Sequence, residues 1–453
     1  MTQTFIFVSL AQNQSRFYGA LEPLLAAQGI DIVHVCFHEG GAAELESGGS
    51  RVFNPFSMAA DGAAVSFDDF GIAQPGILIG HEKAAYDMRN SAPIADKFKR
   101  HLAALDSIVA QLVGEGRELT VVQELGGFTS VLAVYFAARR HGIVNYFIEP
   151  SFFRGRFMLS LDSFAAPTIP HGAAQVSEDV RATLDRVKAS QTVVIPTKDK
   201  SHYRGALRKI LDTRNIRRLG EKLYDKYVLR RQEEFQHVGG HVARHVRMAA
   251  NSARSKRHYA DIPTDSPFIY YPLHVPADFA LTIRAPEYLD QLALIDYLCR
   301  IAPLGHRVVV KEHPALVGAL SSSGIGALVK RHDNLVLLYP TINNHRVLQQ
   351  AVSVVTVNSK AGAEALLYGK PVFALGDSFY RNSGLVTPVT ALSELPDMLR
   401  APAHFIPETG KVDLFFEDVW RASHAGELYD LSEGNVATFA GSLLSLTGTQ
   451  SAA

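Results

Sequence analysis

Residues 354–376, VVTVNSKAGAEALLYGKPVFALG, decide the fold class of this chain. The stretch begins with β-branched residues, continues with apolar residues at helical spacing, and ends in a second apolar run after Gly369, Lys370 and Pro371. This pattern predicts a strand, a helix and another strand joined by short turns. Strands connected through a helix pair in parallel, so the stretch indicates a parallel sheet covered by helices.

The same alternation of predicted strands and helices occupies most of the 453 residues. We expect an N-terminal Rossmann-like domain over residues 1–196, a basic helical segment over 197–262, a C-terminal Rossmann-like domain over 263–395, and helices that pack back on the body over 396–453. Two doubly wound domains with a cleft between them form the GT-B architecture of nucleotide-sugar glycosyltransferases. Other two-domain α/β proteins fit this count equally well.

Composition narrows the class of protein. Basic and acidic residues balance at 45 each, which gives no overall sign of nucleic-acid binding. Cys36 and Cys299 stand far apart in apolar runs, a pattern typical of reduced thiols in a cytoplasmic protein. The N-terminal MTQTFIFVSLAQ lacks a basic region and predicts a first strand, and no run approaches the roughly 18 apolar residues of a membrane span. Any membrane contact is therefore expected to be peripheral.

The segment from Lys198 to Arg257 carries 17 Lys or Arg residues against 6 Asp or Glu residues. Apolar residues such as Leu219, Leu223 and Tyr227 alternate with the basic ones, which predicts amphipathic helices. Such helices are either a solvated arm or a face that meets anionic lipid headgroups at the inner membrane.

Two strand ends carry candidate ligand-binding residues. VVVKEHPAL, residues 308–316, places Lys311 and His313 where a strand stops at Pro314. In parallel sheets, ligands bind beyond the carboxyl ends of the strands, and an ammonium beside an imidazole suits a phosphate or a carboxylate. The alternative is that Lys311 and His313 are simply polar residues at the point where the strand reaches the protein surface, with no ligand to bind.

The second candidate strand end lies within residues 354–376. Asn358 and Ser359 fall at the predicted turn and Gly362 near the start of the helix, where free N–H groups favour an anion. Glu364 follows and either caps locally or accepts hydrogen bonds from ribose hydroxyls.

Three stretches resemble the capsule polysaccharide biosynthesis proteins, a family that includes the bacterial β-Kdo transferases of group 2 capsules. They are YYPLHVPAD (residues 270–278), VVVKEHP (308–314) and TVNSKAGAEALLYGKPVFALGDSFY (356–380). Weaker resemblance extends to the opening strand and helix, and to NYFIEPSFFRGRFMLSLD, which is similar to an acidic motif of the family.

The resemblance implies a GT-B fold and a CMP-activated donor, usually CMP-Kdo, used without a metal or another cofactor. It implies a lipid or glycan acceptor. The donor-binding residues that it implies are Lys311, His313, Asn358, Ser359, Gly362, Glu364, His274 and Tyr380. Tyr380 would close the cleft, and Glu364 would contact the ribose or the cytosine.

This chain departs from the family pattern in its acidic motif. Glu149 is followed by Pro150 where relatives have a second acid, so the role of that acid cannot be transferred. Glu149 and Glu124, both at predicted strand ends, remain as candidate general bases, or as capping or ion-paired residues. We expect a glycosyltransferase of capsule polysaccharide biosynthesis. The alternatives are a non-catalytic capsule-export or scaffold protein and a transferase of another CMP- or CDP-activated group, such as a polyol phosphate.

Overall fold

A computed structural model of the chain describes residues 2–58, 65–191, 213–235 and 237–449. Residues 198–212 of the predicted basic segment lie outside the described residues. Most of the described chain folds around two seven-stranded sheets. Within the described residues, no helix combines the length and the apolar composition needed to cross a bilayer.

The first sheet has the strand order β14-β6-β5-β4-β1-β2-β3. Neighbouring strands from β3 to β5 pair in parallel, whereas β6 and β14 pair antiparallel at one edge. The strands are β1 (Thr2–Ser9), β2 (Asp31–Cys36), β3 (Arg51–Phe53), β4 (Arg117–Glu124), β5 (Val144–Pro150), β6 (Arg156–Leu161) and β14 (His424–Ala425). The helices of this half are α1 (Gln12–Ala26), α2 (Glu39–Ser47), α3 (Pro75–Tyr86), α4 (Ala92–Gly114), α5 (Thr129–Arg140) and α6 (Glu178–Ser190).

The second sheet is parallel throughout, in the order β13-β12-β11-β8-β9-β10-β7. Its strands are β7 (Tyr259–Ala260), β8 (Phe268–Pro272), β9 (Arg307–Lys311), β10 (Leu335–Leu338), β11 (Ser353–Thr356), β12 (Val372–Ala374) and β13 (Thr387–Pro388). Apart from the edge strand β7, the chain order runs outward from β8 in both directions. The ends of β8 and β11 therefore form the topological switch point, where ligands of such sheets bind.

Helices cover both faces of the second sheet. They are α9 (Phe279–Thr282), α10 (Gln291–Ile301), α11 (Ser322–Arg331), α12 (Asn344–Gln350), α13 (Lys360–Leu366) and α14 (Leu395–Arg400). Strand β9 shows why its sequence is continuously apolar: Val308 and Val310 enter one core cluster, and Val309 enters the other. A strand buried on both faces needs apolar side chains at every position.

The fold class expected from the sequence is confirmed: two doubly wound Rossmann-like domains with a helical insertion. The domain limits differ in detail from the expected ones. Strand β7 joins the second sheet within the segment 197–262, and Val180 and Leu184 of α6 belong to a core cluster of the second half. Helix periodicity does not reveal which sheet a helix will cover.

The C-terminal helices α15 (Thr409–Ala422) and α16 (Glu433–Thr449) return to the body of the protein. Helix α16 packs against α1, where the ring of Phe439 stacks on Phe157 with centroids 4.3 Å apart and meets the edge of Phe17 at 5.0 Å. Offset and edge-to-face ring contacts of this kind stabilise a core beyond the area that they bury.

The inserted helices are α7 (Thr213–Tyr227) and α8 (Val238–Ser255). A buried ion cluster anchors the link between them to the first domain. The Lys97 ammonium donates to Glu82 at 2.8 Å and to Glu234 at 2.5 Å, and Thr129 donates to Glu82 from its amide at 2.6 Å. Glu82 and Glu234 are 1% and 3% exposed, so each carboxylate depends on this lysine for charge compensation.

We predict that Lys97→Met lowers the free energy of unfolding by about 3–5 kcal/mol, because it leaves two buried carboxylates without their shared cation. Thermal unfolding measures the loss. The matched control is Lys83→Met on α3, whose lysine is exposed and should change stability by less than about 0.5 kcal/mol. Equal melting temperatures for the two variants would contradict the assignment of this cluster as an anchor.

Candidate functional site

Lys311 ends strand β9 and is 5% exposed. Its ammonium forms no hydrogen bond or ion pair with any residue that the structure describes. Burial lowers the pKa of Lys311 to about 8, and the nearby Glu364 partly opposes this effect. A buried cation without a partner is costly, and an anionic ligand at this strand end would remove that cost.

His313 and Glu312 follow Lys311 and have different environments. The Glu312 carboxylate accepts hydrogen bonds from the Gly318 amide at 2.8 Å and from the Tyr259 hydroxyl, so it holds the loop after β9. Burial, with a contribution from Lys311, lowers the pKa of His313 below its ordinary value. The imidazole is therefore neutral near pH 7 and acts as a hydrogen-bonding group beside the lysine charge.

His274 connects the end of β8 to the end of β11. Its Nε2 accepts a hydrogen bond from the Asn358 amide at 3.2 Å, which leaves Nδ1 to donate to the Pro272 carbonyl at 3.3 Å. Burial lowers the pKa of His274 to about 4, with smaller effects of Asp278 and His313, so the ring stays neutral. His274 thus positions the turn at the switch point, next to His313.

The Asn358 side chain turns toward α9. Its Nδ2 donates to the Ala280 carbonyl at 2.6 Å, and its buried Oδ1 has no hydrogen-bond partner in the described structure. Sequence reasoning expected this amide to face a phosphate. The observed bond to Ala280 instead fixes the α9 segment to the turn.

The N-terminus of α13 is less open than the sequence indicated. Ser359 Oγ accepts from the Ala361 amide at 3.2 Å, and the Ser359 carbonyl accepts from the Gly362 amide at 2.9 Å. The expected set of free N–H groups is therefore partly used within a helix of seven residues. The expectation that several free donors converge here is corrected accordingly.

Tyr380 packs against this turn from the protein interior. Its side chain is fully buried, and its hydroxyl donates to the Ser359 carbonyl at 2.6 Å. A Cβ at position 362 would lie 2.5 Å from that hydroxyl, so the tyrosine ring requires glycine at this position. The ring is held in the core in this structure, whereas the family resemblance implied that Tyr380 closes the cleft.

Glu364 lies in the protein interior beside the Lys311 ammonium. It is 2% exposed and accepts a hydrogen bond from Asn344 Nδ2 at 2.7 Å, and the Tyr270 hydroxyl donates to Asn344 Oδ1 at 2.8 Å. Burial raises the pKa of Glu364 to about 7, against the effects of Asn344, Lys360 and Lys311. Its carboxylate is held away from solvent, which differs from the expected contact with a ribose or a cytosine.

Glu149 joins the two domains. Its carboxylate receives two hydrogen bonds from the Arg284 guanidinium, at 2.8 and 3.1 Å. Arg284 also donates to the carbonyls of Phe164 and Ala165, at 2.6 and 2.9 Å. Bidentate pairing of this kind is strong and directional. Glu149 therefore has the ion-paired role that the sequence left open as an alternative to catalysis.

The rest of the acidic motif is also structural. Phe152 and Phe153 are 3% and 2% exposed and pack against Phe416 and Trp420 of α15, with ring centroids 4.7 and 5.0 Å apart. Pro150 and Ser151 stand where the family pattern has its second acid and its glycine, and the two phenylalanines stand at its aromatic and leucine positions. The motif has become part of the contact between β5 and α15.

Glu124 lies at the end of β4, at the switch point of the first sheet. Gln14 Nε2 donates to its carboxylate at 2.9 Å and the Tyr429 hydroxyl donates to the same oxygen, Oε2. Tyr429 has a φ of 66°, a left-handed conformation that is uncommon for an aromatic residue. The backbone at Tyr429 is therefore locally strained, and this conformation brings the hydroxyl to Glu124.

Sequence reasoning missed Asp278, the last residue of the YYPLHVPAD stretch. Its carboxylate caps α9 by accepting from the Ala280 amide at 2.8 Å and is otherwise exposed. The charge of Asp278 raises the pKa values of His274 and His313, against the larger lowering effect of burial, so the acid lies near both rings. Its place in the YYPLHVPAD stretch is the sequence feature that could have identified Asp278 as a candidate.

Sequence reasoning also missed Asn344, although the rule that ligands bind beyond the carboxyl ends of parallel strands applies to it as it does to Lys311. It follows the predicted strand NLVLLYP and lies just beyond the carboxyl end of β10. Arg284 had no comparable signal, because its partner Glu149 is 135 residues away in the chain. Among the residues that the structure describes, no three His, Cys, Asp or Glu side chains are grouped as a metal site would require.

The raised pKa of Glu364 predicts a pH-dependent stability. The folded state keeps this proton up to about pH 7, whereas the unfolded chain releases it near 4.5. Because the folded state then binds more protons, stability falls as the pH rises through this window. Glu364→Gln does not titrate, so its melting temperature relative to wild type should rise between about pH 5 and about pH 8. A difference that stays constant with pH would contradict the burial of an ionisable Glu364.

Comparisons with known proteins identify the family to which this chain belongs. The profile of the family described as "Capsule polysaccharide biosynthesis protein" matches residues 129–394. Protein FixF of Sinorhizobium fredii is 32% identical over 140 residues, which are 30% of this chain and 33% of that protein. The chain thus matches about a third of the length of this curated relative.

Two solved structures of Thermosulfurimonas dismutans KpsC are similar to this chain. The β-Kdo 2,7 transferase is 16% identical with a TM-score of 0.37 and covers 75% of this chain and 89% of its own. The β-Kdo 2,4 transferase is 12% identical with a TM-score of 0.33 and covers 67% of this chain and 79% of its own.

Because these TM-scores are low, the fold assignment depends on the strand orders of the two sheets. The family assignment depends on the profile, which covers more than half of the 453 residues and contains every strand of the second sheet from β8 to β13. The protein therefore belongs to the capsule polysaccharide biosynthesis protein family.

Proposed function

We propose that the protein is a glycosyltransferase that moves a Kdo-like sugar from a CMP-activated donor to a lipid or glycan acceptor. The observation that carries this proposal is the buried, unpartnered ammonium of Lys311 at the carboxyl edge of the second sheet. The family assignment supplies the biological setting, which is capsule or surface polysaccharide assembly. The choice of CMP follows the motif resemblance.

In such a transfer, the bond between the anomeric carbon and a phosphate oxygen of the donor breaks, and CMP leaves with the bonding electrons. The acceptor hydroxyl forms the new bond to the anomeric carbon and releases its proton to a base. Lys311 would offset the charge that develops on the leaving phosphate, and neutral His313 would donate a hydrogen bond to it. A lysine and an imidazole in these positions supply charge compensation, so we propose that the reaction needs no metal.

The proposed catalytic base must have a carboxylate that can reach an acceptor in the cleft. Glu149 is engaged by Arg284, and Glu124 by Gln14 and Tyr429. Asp278 is the exposed acid near His274 and His313 and joins Glu149 and Glu124 as a candidate. Of the three, only Asp278 is exposed, and its carboxylate accepts its hydrogen bond from a backbone amide at the start of α9.

A non-catalytic scaffold or export protein is the second candidate function. The engagement of Glu149 in a cross-domain ion pair, together with Pro150 where relatives have an acid, favours it. In this case the second domain would bind a nucleotide or nucleotide sugar without turning it over. A transferase of another CMP- or CDP-activated group, such as a polyol phosphate, would use the same phosphate-binding residues.

Calorimetric titration with CMP tests the donor site. We predict that Lys311→Ala and His313→Ala each weaken CMP binding by about tenfold to a hundredfold, because each removes a charge-assisted or polar contact worth about 1.5–3 kcal/mol. The matched controls are Lys330→Ala and His404→Ala, two exposed residues that should bind CMP as wild type does. Unchanged affinity in both site variants would remove the basis of the proposal.

Transfer assays then separate the enzyme from the scaffold. With CMP-Kdo and lipid or oligosaccharide acceptors, an enzyme releases CMP in the presence of EDTA, and Asp278→Asn lowers that rate by at least about a hundredfold. The variants Glu149→Gln and Glu124→Gln test the other two acids in the same assay. Binding of CMP without transfer to any acceptor would support the scaffold, and a complete loss of rate with EDTA would contradict metal independence.

A further inference from the structure

The end of α7 exposes four large apolar side chains within six residues. Tyr224, Tyr227, Val228 and Leu229 are 54%, 69%, 62% and 43% exposed. Residues three and four apart on a helix share a face, so Tyr224, Tyr227 and Val228 form one surface at the helix end. Single exposed apolar residues are ordinary, but a contiguous group marks an interaction site. We call residues 224–231 the basic tip.

Basic residues are interleaved with this apolar surface. The Lys226 ammonium lies 5.5 Å from the centroid of the Tyr227 ring, and exposed Arg230 and Arg231 follow Leu229 directly. Arg230 has a φ of 53°, a left-handed conformation that is uncommon for a residue other than glycine. The tip therefore combines apolar and cationic side chains at one end of the insertion.

The acids that follow the tip point inward. Glu234 is bound to Lys97 and Ser130 in the core of the first domain, and Glu233 pairs with His38 at 3.1 Å and with Lys222 at 3.0 Å. The tip itself contains one acid, Asp225, against Lys226, Arg230 and Arg231, so its formal net charge is 3 − 1 = +2. Helix α8 carries Arg244, Arg247 and Arg254 and no acid between residues 238 and 255, and Arg247 pairs with Asp87 of the first domain.

The tip is held in a defined position by α8, which contacts both domains. Arg244 donates to the Ala85 carbonyl of α3 at 2.9 Å, and Asn251 Nδ2 donates to the Gly318 carbonyl at 3.1 Å. Gly318 belongs to the loop after β9, and a Cβ there would lie 2.1 Å from the Met248 carbonyl oxygen. The helix is thus seated on the loop that carries His313, so a surface bound at the tip has a fixed relation to the proposed donor site.

We propose that the basic tip docks on an anionic lipid bilayer surface, with its apolar side chains in the headgroup region. Charge complementarity selects this occupant, because a bilayer with anionic lipids attracts lysine and arginine and accommodates tyrosine at its interface. A second copy of the chain is a poorer fit, because a twofold contact would bring the same cationic surface against itself. This inference is independent of the transfer reaction, since docking requires no donor and no catalysis.

Co-sedimentation with vesicles tests the proposal on the full chain. Wild type should bind vesicles of phosphatidylglycerol and phosphatidylcholine, bind pure phosphatidylcholine far more weakly, and dissociate in high salt. Arg230→Gln with Arg231→Gln should weaken binding roughly thirtyfold, the value expected when two basic residues are removed from a membrane surface. Tyr227→Ser with Val228→Ser should weaken it by at least about tenfold.

Matched controls lie on exposed parts of the body. Arg181→Gln with Arg186→Gln on α6 makes the same charge change, and Leu304→Ser removes an apolar side chain that is fully exposed. Both should bind vesicles as wild type does, and all variants should keep the wild-type melting temperature because the changed side chains are exposed.

Three results would overturn the proposal. They are equal binding of wild type to neutral and anionic vesicles, equal loss of binding in the tip and control variants, and no vesicle binding by a chain that elutes as a dimer and becomes monomeric in the tip variants. The last result would assign the tip to a second copy of the chain.

Discussion

The constraint on which the second domain depends is Lys311, a buried residue whose ammonium forms no hydrogen bond or ion pair with any residue that the structure describes. Strand β9 must be apolar on both faces to lie in the middle of a parallel sheet, and the chain ends it with Lys311 at a depth where only 5% of the residue is exposed. The nearest compensating charge, Glu364, is itself buried and has a raised pKa. Two buried ionisable groups near a switch point are an expensive arrangement unless a ligand completes it.

The surroundings of Lys311 are rigid, and each supporting contact comes from a different element. His274 after β8 holds the turn after β11, Tyr380 supports that turn from the core, and Glu312 ties the loop after β9 to Gly318 and Tyr259. These groups can affect ligand binding without contacting the ligand. They fix the geometry of the strand ends, and a site held in this way loses little entropy when a ligand binds.

The two domains are connected by polar contacts near the same edge. Arg284 joins Glu149, the Lys360 ammonium donates to the Ser151 carbonyl at 2.9 Å, and His81 shares a hydrogen bond of 2.8 Å with Thr282. Glu149 and Ser151 lie at the end of β5 and Lys360 follows β11, whereas His81 and Thr282 lie on the helices α3 and α9. Apolar packing adds to these bonds, because Phe152, Phe153 and Val180 lie in one core cluster with residues of the second sheet. Polar and apolar contacts together therefore fix the relative position of the domains.

Sequence reasoning predicted the architecture because it depends on local patterns. Apolar runs of strand length and helical spacing identified both sheets, and the strand-end rule located Lys311 and His313. The same reasoning did not predict the contact between Tyr380 and Gly362, because the packing of the tyrosine ring on the glycine is set by tertiary structure. It left Glu149 undecided for a similar reason, since the arginine that binds it has no signature in the chain. Local rules therefore proposed where a site lies, and the folded structure showed which of the proposed side chains are engaged in internal contacts.

A crystal structure with CMP bound tests the central claim most directly. The account predicts that the nucleotide lies at the switch point between β8 and β11, with phosphate oxygens about 2.7–3.2 Å from Lys311 Nζ and from an imidazole nitrogen of His313. CMP bound elsewhere, with the Lys311 ammonium still unpaired or paired with Glu364 alone, would contradict it.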